Sequence, residues 1–289
     1  MTPGMGAFCV AAGDSDILAS SVLSSISPVT RVLIDTHCHL DVPDFADDRD
    51  AVLARCAAGG VGHIVVPGVR LADFAQVQRV CASSPVLHAA YGLHPVYLAE
   101  HADAHLDALR EWVARERPVA IGEIGLDWFV ETLDRERQQR LFEQQLAIAR
   151  EFDLPVILHV RRSHDAVLAT LRRFRLPHGG ICHAFAGSLD QARHYLALGF
   201  VLGFGGAATH ERANRLRGTL KALPAEAIVL ETDAPDIPPC FVARGGRNSP
   251  DFLPRIAALL AEARGVPLAD FCAATTANAQ RVLRLPGGP

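Results

Sequence analysis

Lysine is almost missing from this chain: Lys221 is the only one, against 27 arginines in 289 residues. The skew reads as genome composition rather than function, but it excludes chemistry that needs a lysine amine at several places. Long apolar runs are missing too. None approaches the roughly 18 residues that a membrane-crossing helix requires, so no transmembrane helix is expected. Residues 1–30 have no basic start followed by a clear apolar core, which argues against a signal peptide. They read as a loose Gly/Ser/Ala-rich extension, or a start site set too early, ahead of a single domain spanning 31–289. The seven cysteines, at 9, 38, 56, 81, 182, 240 and 272, are odd in number and widely spaced. They include no CxxC pair and read as reduced thiols of a cytoplasmic protein. A basic field is also absent. The net charge is −4 and the pI about 6.3. Wrapping a long duplex is therefore not expected, while a local basic pocket for a strand end stays open. No internal repeat or low-complexity tract is visible.

What is present is core. Hydrophobic residues make up 49% and charged residues 21%, the balance of a globular protein with a full interior. Eight short apolar runs stand out: 32–34, 61–68, 86–90, 118–123, 155–160, 179–183, 199–204 and 227–233. Helical patterns alternate with them at 47–58, 71–82, 103–116, 134–152, 163–174, 188–197 and about 211–222. Two last helices follow at 250–264 and 267–284. Gly59-Gly60 marks the stop of the first helix. Continuous apolar runs, rather than period-two alternation, indicate strands buried on both faces. This pattern predicts an α/β (β/α)8 TIM barrel. An open doubly wound sheet is the alternative, but no Gly-rich phosphate fingerprint follows the first run.

In such a barrel the reactive groups sit at the C-terminal ends of the strands. The first run leads into His37-Cys38-His39. In extended chain, residues i and i+2 share a face, so both imidazoles can converge while Cys38 points away. The other strand ends supply Glu123, His159, His183 and Asp233. Four histidines and two carboxylates exceed one tetrahedral ion. They suit two divalent cations about 3.5–4 Å apart bridged by a carboxylate, and Glu123 is the natural bridge. Lys221 lies far along the chain from the fourth strand, so a lysine-derived bridge is unavailable.

Further residues read two ways. Asp233 serves as ligand and as general base for the attacking water, or as ligand alone. Glu231, two residues earlier, faces the same interior and supports a ligand or fills a polar layer. Arg161 and Arg162 hold a phosphate or are solvated loop charges. His94, in Gly92-Leu93-His94-Pro95, touches a substrate phosphate or braces its loop. Arg244, Arg247 and Asn248 form a rim for a nucleic-acid backbone or an ordinary polar loop. Asp127 reads as a loop cap. Trp128 and Phe129 read as loop packing, with base stacking as the alternative.

The motifs DTHCHLD at 35–41, GLHP at 92–95, IGEIGLD at 121–127, PVILHVRRSHDA at 155–166, HAFAGS at 183–188 and LETDAP at 230–235 together resemble the TatD family of metal-dependent deoxyribonucleases. ETDAPDIP and the later RNSP are similar to its YjjV-like branch. The resemblance runs from about 31 to 285. It implies a metallo-dependent hydrolase barrel with one cation on His37, His39, Glu123 and Asp233 and a second on Glu123, His159 and His183. It also implies 3′–5′ exonuclease activity on DNA, single-stranded or at 3′ ends, with Mg2+, Mn2+ or Zn2+, by a monomer. Val160, Ala184 and Ala186 depart from the family pattern, which bears on substrate contacts and not on ligands. A binuclear ester or amide hydrolase, for example one that deacylates aminoacyl-tRNA, is the competing expectation. A metal-binding scaffold without catalysis is a third, and the completeness of the six-residue set argues against it.

Overall fold

A computed structural model describes residues 32–285. The expected extension at 1–30 lies outside the described residues. Eight parallel strands pair in chain order: β1 (Leu33–Asp35), β2 (Val61–Gly68), β3 (Leu87–Tyr91), β4 (Ala120–Asp127), β5 (Val156–Arg161), β6 (Gly180–Cys182), β7 (Phe200–Phe204) and β8 (Ile228–Leu230). The helices between them are α1 (Arg49–Gly59), α2 (Phe74–Ala82), α3 (Ala104–Glu116), α4 (Arg135–Glu151), α5 (His164–Phe174), α6 (Leu189–Ala197), the short α7 (Gly206–Thr209) and α8 (Asn214–Ala222). Then α9 (Leu253–Arg264) and α10 (Leu268–Leu283) complete the chain. The seam between the first and last strands closes just beyond them. Thr36 N donates to Leu230 O at 3.0 Å, Asp233 N to His37 O at 2.8 Å and His39 N to Ala234 O at 2.8 Å. The Asp35 carboxylate ties the seam by accepting from Thr232 N at 3.0 Å and Thr232 Oγ1 at 2.6 Å. The expected TIM barrel is the fold.

Both faces of the strands are buried, which is why the sequence shows runs and not alternation. One apolar residue of each strand contributes to an inner layer of the barrel: Ile34, Val65, Ala90, Ala120, Ile157, Ile181, Val201 and Val229. With Ala279, Val282 and Leu283 of α10, and Leu285 after it, they form a plug. The residues of opposite parity, such as Leu33, Ile64, Val66, Leu158, Leu202 and Leu230, pack outward against Val52, Phe74, Leu109, Phe142 and Val167 of the helices. Each fully buried side chain of this size contributes about 1.5–3 kcal/mol. Because α10 lies at the N-terminal ends, where Asn278 Nδ2 donates to Ala225 O and Ile228 O, only the C-terminal mouth is left for a site.

Local signals place most helix ends. Gly60 takes φ +83° after α1 and turns its N–H back to Ala57 O. Ser188 and Gln191 form a reciprocal capping box at α6. Differences arise where the chain bends at a strand end. The expected helix at 211–222 is α8, starting three residues later, and an additional short helix, α7, precedes it; Pro250–Phe252 forms a 3-10 turn ahead of α9. β4 runs four residues past its expected end, because its register shifts between Ile121 and Ile124 and pairing with β5 then resumes to Asp127.

Candidate metal centre

The plug fixes which side chains reach the mouth. Residues two and four positions beyond a plug residue share its inward face. From Ala90 this gives Gly92 and His94; from Ile157, His159 and Arg161; from Ile181, His183; from Val229, Glu231 and Asp233. Gly92 is glycine because a Cβ there would lie 2.7 Å from Glu123 O. In β4 the register shift turns Glu123 and Asp127 toward His159. The first strand ends early, and His37 and His39 follow in extended chain. Cys38 between them forms an isolated bridge with Ala234 and faces the core, fully buried.

The six expected ligands meet around Glu123, which is almost wholly buried. Its two oxygens face different groups. Oε2 lies 3.2 Å from His37 Nε2 and 3.7 Å from His39 Nε2. Asp233 Oδ1 completes that lobe, 3.5 Å and 3.7 Å from the same two nitrogens. Oε1 faces His159 Nδ1 at 3.0 Å, His183 Nε2 at 3.1 Å and His94 Nε2 at 3.3 Å. The rings of His37 and His183 stack at 3.8 Å with 15° between planes and link the lobes. Donor atoms of His37, His39 and Glu123, of His37, His183 and Asp233, and of His94, Glu123 and His159 each lie within 4.8 Å of one another.

Burial works against the Glu123 carboxylate, but His94, His183 and His37 around it outweigh this and hold it well below the usual carboxylate range. Burial, then neighbouring His183, keeps His37 neutral, and burial brings His94 down to about 4. Burial opposes charging of His159, yet hydrogen bonds to Asp127 and Glu123 raise it. Burial pushes Asp233 up to about 6, against the pull of His183 and His39. Imidazoles gathered on an ionised carboxylate form a donor set suited to divalent cations, whose binding displaces the ring protons that His159 and His183 hold. The buried Nδ1 atoms of His37 and His183 have no hydrogen-bond partner. The atoms that face one another at the centre are Nε2 of His37, His39 and His183, Nδ1 of His159 and the carboxylate oxygens of Glu123 and Asp233, a donor set that a pair of bound cations fits.

His94 differs from the other imidazoles. Its Nδ1 accepts from Val96 N at 3.1 Å, so the neutral ring carries its proton on Nε2, the atom aimed at the centre. It is therefore a hydrogen-bond donor, although its position alone resembles a ligand's.

The other candidates fall in different places. Arg161 lines the mouth, a cavity of about 790 Å³ shared with Val96, Tyr97 and Ile237. Its guanidinium lies 3.6 Å from the Phe129 ring centroid and 4.0 Å from Asp127 Oδ2. Arg162 approaches the same ring at 4.6 Å, and Phe129 is exposed. Arg247 instead forms a forked pair with Asp48 at 2.9 and 2.6 Å, donates to Asp44 O, lies over Phe45 and is not among the cavity's lining residues. Asn248 is buried, and its Nδ2 donates to Thr232 O at 2.7 Å and Asp236 O at 2.8 Å. It braces the loop that carries Asp233 and is no free rim residue.

Two carboxylates have more to do than their sequence suggested. Asp127 does cap its loop: Oδ1 accepts from Phe129 N and Val130 N at 2.9 and 3.0 Å. Its Oδ2, however, lies 2.9 Å from His159 Nε2, so it turns the other ring nitrogen, Nδ1, toward Glu123. Carboxylates on the far nitrogen of a ligand histidine fix its tautomer and raise its basicity. Glu231 is buried beside His183, with Oε1 accepting from Ala184 N at 2.6 Å.

A family model described as TatD related DNase matches residues 34–284. The uncharacterized metal-dependent hydrolase YjjV of Escherichia coli K12 is 42% identical over 255 residues, 88% of this chain and 98% of that protein. The 3′-5′ ssDNA/RNA exonuclease TatD of Escherichia fergusonii is 34% identical over 254 residues, covering 85% and 96%. Among solved structures, Escherichia coli YjjV, a TatD homolog, superimposes with a TM-score of 0.85, covering 89% of this chain and all of that one. A TatD-family hydrolase from Entamoeba histolytica, 22% identical with a TM-score of 0.77, shares the fold. With the barrel, the six converging candidate ligands and these relatives together, the chain belongs to the TatD-related family of metal-dependent hydrolases.

Proposed function

We propose that this enzyme hydrolyses phosphodiester bonds at the 3′ end of single-stranded nucleic acid, using two divalent cations shared by Glu123. The observation that carries the reading is the division of labour at Glu123, one oxygen toward His37 and His39 and the other toward His159 and His183. His37, His39, Asp233 and Glu123 would hold one cation; Glu123, His159 and His183 the other. When bound, the pair supplies Lewis acidity to a phosphoryl oxygen and neutralises the charge that develops there.

The remaining work falls to the chain. Asp233, its carboxylate at the mouth and its proton affinity raised by burial, accepts the proton of the attacking water. His94 donates its Nε2–H to a non-bridging phosphate oxygen. Arg161, set flat on Phe129 at the cavity edge, pairs with the next phosphate through its fork. The wall of α10 and the plug seals the other end, so the strand can enter only from the mouth; this favours an end over an internal bond. Relatives named as ssDNA/RNA exonucleases support the substrate class. The six described cysteines are free thiols, and no described helix is long and apolar enough to cross a membrane. Both facts support a cytoplasmic setting, and a single barrel carrying all six ligands supports action as a monomer.

The test is a time course on 5′-labelled single-stranded DNA with Mg2+, Mn2+ or Zn2+ added and with chelator as control. A ladder shortening from the 3′ end, lost on chelation and in Asp233→Asn, is expected. Intact DNA together with cleaved esters, from folded and metal-loaded protein, would refute the nuclease reading.

A further inference from the structure

We infer that Glu231 is a positioning residue that sets the tautomer of His183, and that it does for this ring what Asp127 does for His159. The inference rests on the two-cation reading and concerns a residue with no place in that reading's ligand set.

The geometry leaves His183 one freedom. Its plane is fixed by the parallel stack on His37 at 3.8 Å. Its backbone is fixed by His183 N donating to Leu158 O at 3.1 Å and by Ala184 N donating to Glu231 Oε1 at 2.6 Å. What remains is the location of the ring proton. Nε2 is aimed at Glu123 Oε1, 3.1 Å away, and must keep its lone pair to serve as a ligand. The proton then belongs on Nδ1. That atom is buried and has no hydrogen-bond partner, and Glu231 Oε2 is buried and without one as well. Glu231 Oε1 lies 3.7 Å from His183 Nδ1, longer than a hydrogen bond and too short to admit a bridging water. A shift of well under an ångström joins them. A buried ring donor left unpaired is costly, and Oε1, which already accepts from Ala184 N, has a second lone pair with which to take it.

The chain makes room for this carboxylate. Glu231 follows plug residue Val229 by two positions, so it points into the barrel. Its neighbour on β7 is Gly203, where a Cβ would lie 2.0 Å from Glu231 Oε2. Any side chain at 203 would occupy the space of the carboxylate. Among the described residues the carboxylate is set against His183 Nδ1, the backbone of Ala184 and the gap that Gly203 leaves. It stands outside the ring of ligands and acts through His183.

The experiment uses the full chain. Long-range 1H–15N spectra of 15N-histidine-labelled protein, with Zn2+ or after chelation at a pH where the ring is neutral, report which nitrogen of His183 is protonated. His183→Gln identifies the signal. The expected result is a protonated Nδ1. Equilibrium dialysis against Mn2+ is run in parallel on the wild type and on Glu231→Leu, which keeps the bulk and removes the acceptor beside Nδ1. Loss of a proton-fixing carboxylate lowers metal affinity by about 10–100-fold, so one of the two Mn2+ equivalents should weaken by that factor while the other is retained. An unprotonated Nδ1 in the wild type overturns the inference, as does a folded Glu231→Leu that binds both equivalents as before. If the variant does not fold, the wild-type spectrum still decides. If the wild type takes up no Mn2+ at all, the two-cation reading fails, and the metal-free spectrum then decides the Glu231–His183 contact separately.

Discussion

Asp127→Asn separates the two duties of one carboxylate. Oδ1 accepts from two backbone donors, Phe129 N and Val130 N, while Oδ2 faces His159 Nε2 at 2.9 Å. An asparagine satisfies the loop only if its oxygen takes the Oδ1 place. Its NH2 group is then forced toward His159. A donor now meets Nε2, so Nε2 must hold the lone pair and the proton moves to Nδ1, the atom 3.0 Å from Glu123 Oε1. His159 is left with no lone pair on the side where it is needed. The fold loses little, because the two backbone bonds survive; the change in stability should stay within about 1 kcal/mol. Metal affinity should fall by about 10–100-fold, or about 1.4–2.8 kcal/mol at 1.4 kcal/mol per decade. Asp127→Ala is the control: it loses the loop bonds as well, and leaving buried N–H groups unpaired costs about 1–3 kcal/mol. Mn2+ titration by calorimetry and thermal unfolding of both variants give the numbers. A stable Asp127→Asn with wild-type metal affinity would refute the tautomer argument.

Other perturbations test other parts of the account. In metal-free protein Asp233 holds its proton up to about pH 6 when folded, against 3.8 for the ordinary carboxyl. The folded state thus binds more protons across that window, and stability falls as pH rises through it. Chelated Asp233→Asn should therefore melt above the chelated wild type at pH 7–8, with the gap closing below about pH 4; equal melting at pH 7 would sink the claim. Asparagine is the suitable replacement, since residue 233 has φ +57° and asparagine tolerates the left-handed region. Gly203→Ala should drive a methyl into Glu231 and destabilise by about 1–3 kcal/mol, read as a drop of several degrees in Tm; an unchanged Tm would mean that Glu231 moves away freely. Phe129→Ala removes the surface on which Arg161 rests, so KM for single-stranded DNA should rise about two- to five-fold, as expected for an exposed cation–π contact of about 0.5–1 kcal/mol. Tm should barely move, and an unchanged KM would show that Arg161 needs no support.

The barrel was legible because parallel strands buried on both faces must be apolar throughout, and the eight runs carry that requirement openly. The candidate ligand cluster was legible for a related reason: His37, His39, Glu123, His159, His183 and Asp233 are polar residues set directly against apolar runs, where burial without a purpose would be costly. What stayed hidden was orientation. Asp127 looked like a loop cap because β4 seemed to end at Glu123. The register shift between Ile121 and Ile124 has no marker in the residues themselves, yet it decides that Asp127 faces His159. Arg247 and Asn248 looked alike in sequence, a basic and a polar residue on one loop. Asp48, close to 200 positions away in the chain, claims the first, and the backbone of the Asp233 loop claims the second.

His94 shows what a sequence can say once one inward residue is known. Composition left it between phosphate contact and loop brace, and its distance from Glu123 alone would make it a seventh ligand. Parity from Ala90 aims it inward; the Val96 N–H on Nδ1 then removes the ligand reading, since a neutral ring cannot accept on one nitrogen and keep a lone pair on the other. The same logic extends beyond His94. For three of the imidazoles the role follows from what the far nitrogen meets: a backbone donor for His94, a carboxylate for His159, and a carboxylate within a short shift for His183. Ligand and donor are thus separated by partners that lie outside the centre, and substitutions at those partners, Asp127 and Glu231, should change what the centre binds while leaving every ligand in place.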